Sequence, residues 1–339
     1  MFRLMALLAF LSPCIAQAED LLGQAPHQYR VVPGWAAKAL IAAPIKNGHG
    51  LALDAQGRLF VLTDNPQNNI LILDPETGAL INQWTARMPG AHGLALVKEG
   101  DAEVLFITDT VLHEVRKLSL DGKELARFPW PEKSGLYAKE SEYRPSKTLH
   151  HPNGDFWVLD GYGKDYVHHY DQEGSLLKSW GGNLGEGENQ LLHWGPHGGT
   201  LDLRDAAQPL FLIAMSDRLE IKRFTLNGQF VDKIPFPGGN PRDVVLWGDL
   251  ALIPHLGDQW PQDKDSPGFI SIVDRQFRVL SNIGAPPALY EQGVLQPMKS
   301  DGRTFIHPHA VAVDAVGNVF VAQFASKAAP LVKLEPVTR

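Results

Sequence analysis

The sequence predicts an all-β protein, a six-bladed β-propeller whose ring is closed by an N-terminal strand. Two observations predict this fold. A six-residue phrase, Ala91-His92-Gly93-Leu94-Ala95-Leu96, recurs in variants, and each copy opens a run of short strands separated by Gly, Pro, Asn and Asp. Six such runs, at a spacing of roughly 40 to 60 residues, are typical of blades stacked radially around a central channel.

The repeated phrase marks the start of each predicted blade. The other copies with a histidine are Gly48-His49-Gly50-Leu51-Ala52-Leu53, Pro196-His197-Gly198-Gly199-Thr200-Leu201 and Pro308-His309-Ala310-Val311-Ala312-Val313. Two weaker copies are Pro145-Ser146-Lys147-Thr148-Leu149 and Pro241-Arg242-Asp243-Val244-Val245. A repeat array shares one continuous core, so we predict a single domain over residues 19–339 and not the two domains that length alone suggests.

The runs predict four strands in each of the first five blades and three in the sixth. The blades cover Gly50 to Trp84, His92 to Phe128, Ser146 to Trp180, His197 to Ile234, Arg242 to Ile283, and His309 to Val337. Blade five carries a polar insertion, Gly257 to Gly268, between its second and third strands. The strand-like stretch at residues 28–32 belongs to no complete unit, so we expect it to supply the missing strand of blade six.

Residues 1–18 have the three regions of a secretory signal peptide. Arg3 precedes an apolar run from Leu4 to Leu11, and the small-residue pattern Ala16-Gln17-Ala18 predicts cleavage after Ala18. The apolar run is too short to span a bilayer, so no membrane attachment is expected after cleavage. We therefore predict a periplasmic or secreted bacterial protein. Its only cysteine, Cys14, lies in the signal, so the mature chain would form no disulfide.

Composition and charge indicate the broad class of protein to which the chain belongs. Hydrophobic residues make up 44% of the chain and charged residues 20%, which is ordinary for a globular protein that can bury a core. The 31 basic residues are outnumbered by 38 acidic ones, for a formal net charge of −7. This balance does not favour nucleic acid as a partner.

The strand-start positions carry the candidate chemistry, because the innermost strand of each blade begins beside the axis. Taken on alternate blades, these positions form one triangle of His92, His197 and His309 and another of His49, Ser146 and Arg242. A single histidine at a strand start is usually a packing or turn residue. Three converging imidazoles with one position left open are the ligand set of a catalytic zinc site. His49 is a fourth ligand, a proton carrier or, like Ser146, a residue that only lines the channel.

Several of these segments resemble the peptidyl-α-hydroxyglycine α-amidating lyases, which are six-bladed propellers related to NHL-repeat proteins. The resemblance covers nearly the whole mature chain, and its most specific pieces are His92-Gly93-Leu94, residues 108–115, Asp160-Gly161-Tyr162, Pro196-His197 and Pro308-His309. It implies that His92, His197 and His309 bind zinc and that Tyr162 is the catalytic base. It also implies the reaction, cleavage of a carbinolamide in a small peptide or amide-type substrate to release an amide and glyoxylate. We expect the chain to act as a monomer.

The sequence departs from that family at two places. The family's arginine after the second strand of blade one is absent from the stretch Val61-Leu62-Thr63-Asp64-Asn65. Arg242 is a candidate to clamp a substrate carboxylate instead, and Arg218 lies near a second family arginine, although either could be only a surface or ion-pair residue. Ala310 stands where the family has a calcium-binding aspartate, which argues against a calcium site.

Two other functions remain compatible with the sequence. A propeller lactonase or other metal-dependent hydrolase would hold its metal mainly with carboxylates, which the six strand-start positions lack. A non-catalytic, exported NHL-type module would use its loops to bind a peptide or glycan. Metal content and turnover separate the three alternatives.

Overall fold

The structure is a computed structural model that describes residues 21–45, 47–184, 186–191, 195–324 and 330–337. The predicted signal peptide and Cys14 lie outside the described residues. The one α-helix of the described chain has six residues, so no helix in that part could cross a membrane. The rest is built almost entirely from short antiparallel strands.

The elements follow one another in six groups around the ring. In chain order they are β1 (Leu22–Gln24), β2 (His27–Val31), α1 (Ala37–Ala42), β3 (Gly48–Leu53), β4 (Leu59–Thr63), β5 (Ile70–Leu73), β6 (Leu80–Trp84), β7 (Ala91–Glu99), β8 (Ala102–Asp109), β9 (Glu114–Ser119), β10 (Glu124–Pro129), β11 (Lys147–His150), β12 (Phe156–Leu159), β13 (Tyr166–Tyr170) and β14 (Leu176–Gly181). They continue with β15 (Pro196–Asp202), β16 (Leu210–Met215), β17 (Glu220–Thr225), β18 (Phe230–Pro235), β19 (Asn240–Pro241), β20 (Val245–Trp247), β21 (Leu250–Leu256), β22 (Pro267–Val273), β23 (Val279–Ile283), β24 (Tyr290–Glu291), β25 (Val294–Leu295), β26 (Phe305–Ile306), β27 (Pro308–Val313), β28 (Val319–Gln323) and β29 (Leu331–Pro336). Short 3-10 turns cover Glu132–Ser134, Glu140–Glu142, Gly187–Asn189 and Ser216–Arg218.

Blades one to four are four-stranded antiparallel meanders, as the sequence predicts. Their strand orders are β3-β4-β5-β6, β7-β8-β9-β10, β11-β12-β13-β14 and β15-β16-β17-β18. The second strand of a blade is enclosed by its neighbours, and all five residues of β4 are accordingly buried. The outermost strand has one solvated face, so β18 alternates between half-buried and exposed residues.

Neighbouring blades are joined by an aromatic ring that covers a turn glycine of the next blade. Trp84 at the end of blade one lies over Gly122, and Trp180 at the end of blade three lies over Gly228. Both glycines have positive φ, 89° and 77°, and an added Cβ would lie 2.8 and 2.5 Å from the indole atoms. Glycine is needed at both turns for backbone conformation and for space.

Blade five differs from the others in its innermost strand. That strand is broken into β19 and β20, which both pair with β21, and Arg242 and Asp243 lie in the break. The predicted insertion follows β21 and precedes β22, and β26 pairs with β22 beside it. A small hairpin of β24 and β25, which the sequence did not predict, follows this blade.

Blade six is completed by the N-terminal strand, which confirms the predicted closure of the ring. Its order is β27-β28-β29-β2-β1, with Tyr29 paired to Pro336 across the junction. The Tyr29 ring packs in a core cluster with Leu334 and Ile283, so strand β2 is fixed by side-chain packing as well as by hydrogen bonds. Strand β1 also reaches blade five, where the Gln24 amide donates to Ser281 Oγ over 2.8 Å.

Truncating the closing strand is expected to destabilise the whole ring. Tyr29 is 2% exposed, so Tyr29→Ala should cost about 3–5 kcal/mol, the range of buried aromatic truncations. Val31, on the same strand but 42% exposed, provides the matched control, and Val31→Ala should stay within about 0.5 kcal/mol of wild type. Urea unfolding midpoints measure both variants. Equal midpoints for Tyr29→Ala and Val31→Ala would show that burial of Tyr29 does not stabilise the closure.

Candidate metal centre

Each predicted histidine lies at an irregularity in the first strand pair of its blade. The pairing register skips at His49 between β3 and β4, at His92 and Gly93 between β7 and β8, at His197 between β15 and β16, and at His309 between β27 and β28. Such bulges leave a residue unpaired and bend the strand, which re-aims its side chain. The same local device therefore directs all four imidazoles toward the axis.

The small residue after each histidine lets the inner strands approach one another at the axis. A Cβ on Gly93 would lie 2.4 Å from the carbonyl oxygen of Ser146, and one on Gly198 would lie 2.3 Å from that of Arg242. No side chain fits at these distances. The His-Gly pairs of the repeated phrase thus combine an inward ring with close backbone contact.

The three histidines of blades two, four and six form a nearly regular triangle. Ring centroids are 4.8 Å apart for His92 and His197, 5.0 Å for His92 and His309, and 4.9 Å for His197 and His309. All three are buried, with exposures of 4–7%. Residues more than 200 positions apart in the sequence are therefore neighbours at this site.

A backbone carbonyl of the following blade orients each of these three rings. The Nδ1 atoms of His92, His197 and His309 lie 2.8, 2.8 and 2.9 Å from the carbonyl oxygens of Ser146, Arg242 and His49, respectively. A carbonyl oxygen only accepts hydrogen bonds, so Nδ1 carries the proton and Nε2 keeps its lone pair. This is the outer support that metal-binding histidines usually have.

Burial also keeps these imidazoles in the neutral form that binds metal. It lowers the pKa of His92, His197 and His309 well below the usual value, and it is the largest cause for each. The positive charge of Arg242 lowers the pKa of all three further. The site is therefore ready to bind a cation without first losing protons.

His49 is the fourth imidazole at the axis. Its ring centroid lies 5.1 Å from that of His92 and 5.0 Å from that of His309. Candidate ligand atoms of His49, His92 and His309 all lie within 4.8 Å of one another, so these three buried histidines could hold a metal ion. This group contains His49 in place of His197, so the structure groups His49 with two of the three predicted ligands, His92 and His309. His197 joins the site through its ring contacts with these two imidazoles.

The hydroxyl of Tyr162 reaches the same point. It lies 3.1 Å from His92 Nε2 and 2.8 Å from His197 Nε2. Burial raises the pKa of Tyr162, whereas the nearby charges of Arg242 and Arg144 lower it. A tyrosine oxygen in this position would lie next to a metal ion bound by the imidazoles.

The loop that carries Tyr162 is fixed by the carboxylate of Asp160. Its oxygens accept hydrogen bonds from the backbone amides of Arg144 and Lys164, at 2.6 and 2.7 Å, and from the Tyr137 hydroxyl at 2.7 Å. Burial raises the pKa of Asp160 to about 7. Asp160 thus holds the loop in place through its hydrogen bonds to backbone amides, a common role for an aspartate at the end of a strand.

The other predicted site residues, Arg242, Ser146 and Arg218, differ in burial. Arg242 is 5% exposed, and within the described part of the chain its Nε is buried without a hydrogen-bond partner. Ser146 is fully buried, and its hydroxyl lies 2.9 Å from the carbonyl oxygen of Pro196, so it joins blades three and four. Arg218 lies on an exposed turn, and its charge acts on Lys233 of outer strand β18. The charge that acts on Tyr162 and Arg242 from that turn belongs to Asp217.

Sequence reasoning missed an aromatic wall beside the histidines. Trp260, from the insertion of blade five, meets Phe324 edge-on with centroids 5.3 Å apart, and Phe324 lies 5.4 Å from His49. A tryptophan in an otherwise polar insertion was the available signal. Its position over the axis could not be inferred, because the direction of an insertion depends on its tertiary contacts.

A cavity of about 260 Å³ continues along the axis between the inner strands. The four histidines border it, and Lys147 of blade three forms an ion pair with Asp243 of blade five within it. The imidazoles therefore lie inside a channel, where water is limited and charges interact more strongly than at the surface.

Comparison with known proteins shows a sequence relationship to one family. No protein-family model matches the chain. Over 276 residues, or 76% of its length, it is 31% identical to peptidyl-alpha-hydroxyglycine alpha-amidating lyase 1 of Drosophila melanogaster. By sequence, the chain is a relative of the peptidyl-α-hydroxyglycine α-amidating lyases. This confirms the family predicted from the repeated phrase and its neighbours. The match takes in 47% of the fly protein, so the chain spans about half the length of that amidating lyase.

Two solved structures of lyases have the same architecture, although their sequences are distant from this chain. A streptogramin B lyase superposes with a TM-score of 0.55 at 14% identity, over 87% of this chain and 95% of that one. A catalytically inactive virginiamycin B lyase from Staphylococcus aureus, determined with quinupristin, gives 0.54 at 11% identity, over 94% and 100%. At these identities the likeness shows only that this chain shares their propeller fold.

Proposed function

We propose that this chain is a zinc-dependent lyase that cleaves the C–N bond of a carbinolamide, releasing an amide and glyoxylate. One observation carries the proposal. Three buried imidazoles, each with Nδ1 bound to a backbone carbonyl, meet on the propeller axis beside the hydroxyl of Tyr162. The relationship to an amidating lyase supports the substrate class.

The residues present fit zinc better than an oxygen-preferring metal. His92, His197 and His309 offer Nε2 lone pairs, and zinc accepts imidazole nitrogen readily, whereas calcium and magnesium require oxygen ligands. The carbonyl partners on Nδ1 provide the outer support expected of such ligands. A carboxylate-based hydrolase site receives no comparable support, because the six strand-start positions carry no acidic side chain.

The chain's own residues account for the proton movements of the reaction. When bound, zinc supplies a Lewis acid for the oxygen of the substrate hydroxyl. Tyr162 takes the hydroxyl proton as the C=O bond of glyoxylate forms and the C–N bond breaks. It then returns that proton to the nitrogen of the leaving amide, so atoms and charge balance. Burial raises the pKa of Tyr162 overall, and the charges of Arg242 and Arg144 oppose that rise. In this role, a bound zinc ion would add a further positive charge that favours the tyrosinate.

Arg242 is suited to hold the carboxylate of the substrate. Its guanidinium is buried near Tyr162, with Nε left without a partner, and burial lowers its pKa against the opposing effects of Tyr162 and Asp217. A carboxylate would supply the missing acceptor through a charge-assisted, planar contact. This assigns the clamping role to Arg242 and not to the absent blade-one arginine.

Changing Arg242 should therefore weaken substrate binding. For Arg242→Gln we expect KM to rise at least about tenfold, because a charge-assisted hydrogen bond is worth about 1.5–3 kcal/mol. Arg218→Gln, on an exposed turn, is the comparison that separates the two candidate arginines. Steady-state kinetics measure both. A raised KM in Arg218→Gln together with an unchanged KM in Arg242→Gln would reverse the assignment.

The proposed reaction can be tested with α-hydroxyhippurate. Zinc-loaded protein should release benzamide and glyoxylate in equal amounts, and a chelator should stop the release. Zinc-loaded protein that binds peptides but releases no glyoxylate from this compound or from an α-hydroxyglycine peptide would contradict the proposal. That outcome would favour an exported binding module instead.

A further inference from the structure

His49 is oriented differently from the other three imidazoles at the axis. Its Nε2 lies 3.4 Å from Asp64 Oδ2, whereas its Nδ1 is buried and has no hydrogen-bond partner among the residues that the structure describes. In the other three rings the arrangement is reversed, with Nδ1 bound to a carbonyl. A buried ring nitrogen without a partner is costly unless something binds it.

Asp64 fixes the tautomer of His49. The Asn47 side chain donates to Asp64 Oδ2 over 2.6 Å, and these two residues flank the first strand pair of blade one. An ionised carboxylate only accepts, so the His49 proton lies on Nε2 and the lone pair on Nδ1.

We propose that His49 is a fourth, displaceable ligand of the metal, bound through Nδ1 and oriented by Asp64. This inference rests on the proposed function, because it requires the same zinc site. It is carried by the orphaned Nδ1 and by the closeness of His49 to His92 and His309, whose ligand atoms lie within 4.8 Å of its own.

The supports of the four rings explain why His49 is the ligand that leaves. The other three rings are oriented by backbone carbonyls, whereas His49 is oriented by the side chain of Asp64, which is 30% exposed. A side-chain carboxylate can move with its ring. The three carbonyls belong to main chain that is paired with or adjoins an inner strand, so they cannot move without shifting the backbone. A catalytic zinc site needs a position for substrate, and departure of His49 would open it.

Zinc affinity tests the inference without relying on turnover. Chelator competition should show zinc binding at least about tenfold weaker in His49→Ala and about tenfold weaker in Asp64→Asn, as loss of an outer partner typically costs 10–100-fold. Asp249→Asn, at an exposed carboxylate far from the axis in blade five, is the matched control and should bind zinc like wild type. Asp64→Asn keeps the shape of the side chain, so it remains informative if His49→Ala fails to fold.

Cobalt provides a second readout, because the visible absorption of Co²⁺ depends on its ligands. The cobalt-loaded wild type and His49→Ala should differ in band position and intensity. Zinc affinity within twofold of wild type in both His49→Ala and Asp64→Asn, with identical cobalt spectra, would overturn the inference. If His197→Ala still lost zinc in that case, the proposed function would stand, whereas a wild-type chain that binds no zinc would remove both.

Discussion

Replacing His197 with alanine is expected to reduce glyoxylate release by about 10³-fold or more, since Lewis-acid stabilisation is worth several kcal/mol and each 1.36 kcal/mol is tenfold in rate. His197 is 4% exposed, its Nδ1 is held by the Arg242 carbonyl, and its Nε2 faces Tyr162. The variant loses a nitrogen donor and one wall of the site together. Zinc content and kcat, measured on the same preparation, should fall together.

A histidine away from the axis provides the control for this variant. His151 lies in the turn after β11, where its Nδ1 lies 2.8 Å from Asn153 Oδ1, so His151→Ala should keep both zinc and activity. Folded His197→Ala protein, verified by circular dichroism, that releases glyoxylate at the wild-type rate would show that the triangle of imidazoles does not perform the chemistry.

Tyr162→Phe should lower kcat by about 10²–10⁴-fold while the protein keeps its zinc, because a positioned acid–base group contributes an effect of that size. The change removes only the hydroxyl, which lies 2.8 Å from His197 Nε2, and leaves the ring to pack against His92. KM should change little, since the substrate carboxylate and hydroxyl keep their other partners. Steady-state kinetics and zinc analysis give both quantities.

Tyr166 begins strand β13, four residues after Tyr162, and serves as a matched control. Its hydroxyl bonds the side chain of Asn183 and not the imidazoles, so Tyr166→Phe should leave kcat nearly unchanged. Two results would count against the role of Tyr162. An unchanged kcat in Tyr162→Phe would exclude it as the proton carrier, and loss of zinc together with activity would show that the hydroxyl supports the metal instead.

Local sequence signals were sufficient to predict the ring and the residues at its axis. A bulge followed by a small residue is encoded within a few positions, so His92-Gly93 and its copies identify both the blade starts and the inward rings. The lone strand near Tyr29 was predicted to close blade six because the last run supplied only three strands, and the pairing of β2 with β29 confirms this.

The contacts that complete the site depend on ring closure and could not be inferred from local pattern. The His309 ring is oriented by the carbonyl of His49, 260 positions away, because blade six meets blade one only in the closed propeller. Asp64 was noticed only as a missing arginine, although it orients His49. By sequence Arg218 lies near the position of a family arginine, and the structure places it on an exposed turn.

The number of zinc ions bound per protein molecule tests the central claim most directly. After purification with zinc and removal of excess ion, the wild-type chain should retain about one zinc per molecule, as a single three-histidine site requires. A variant with alanine at His92, His197 and His309 should retain none while keeping its β-sheet circular dichroism. A wild-type chain that carries no zinc under these conditions and still releases glyoxylate would contradict the account.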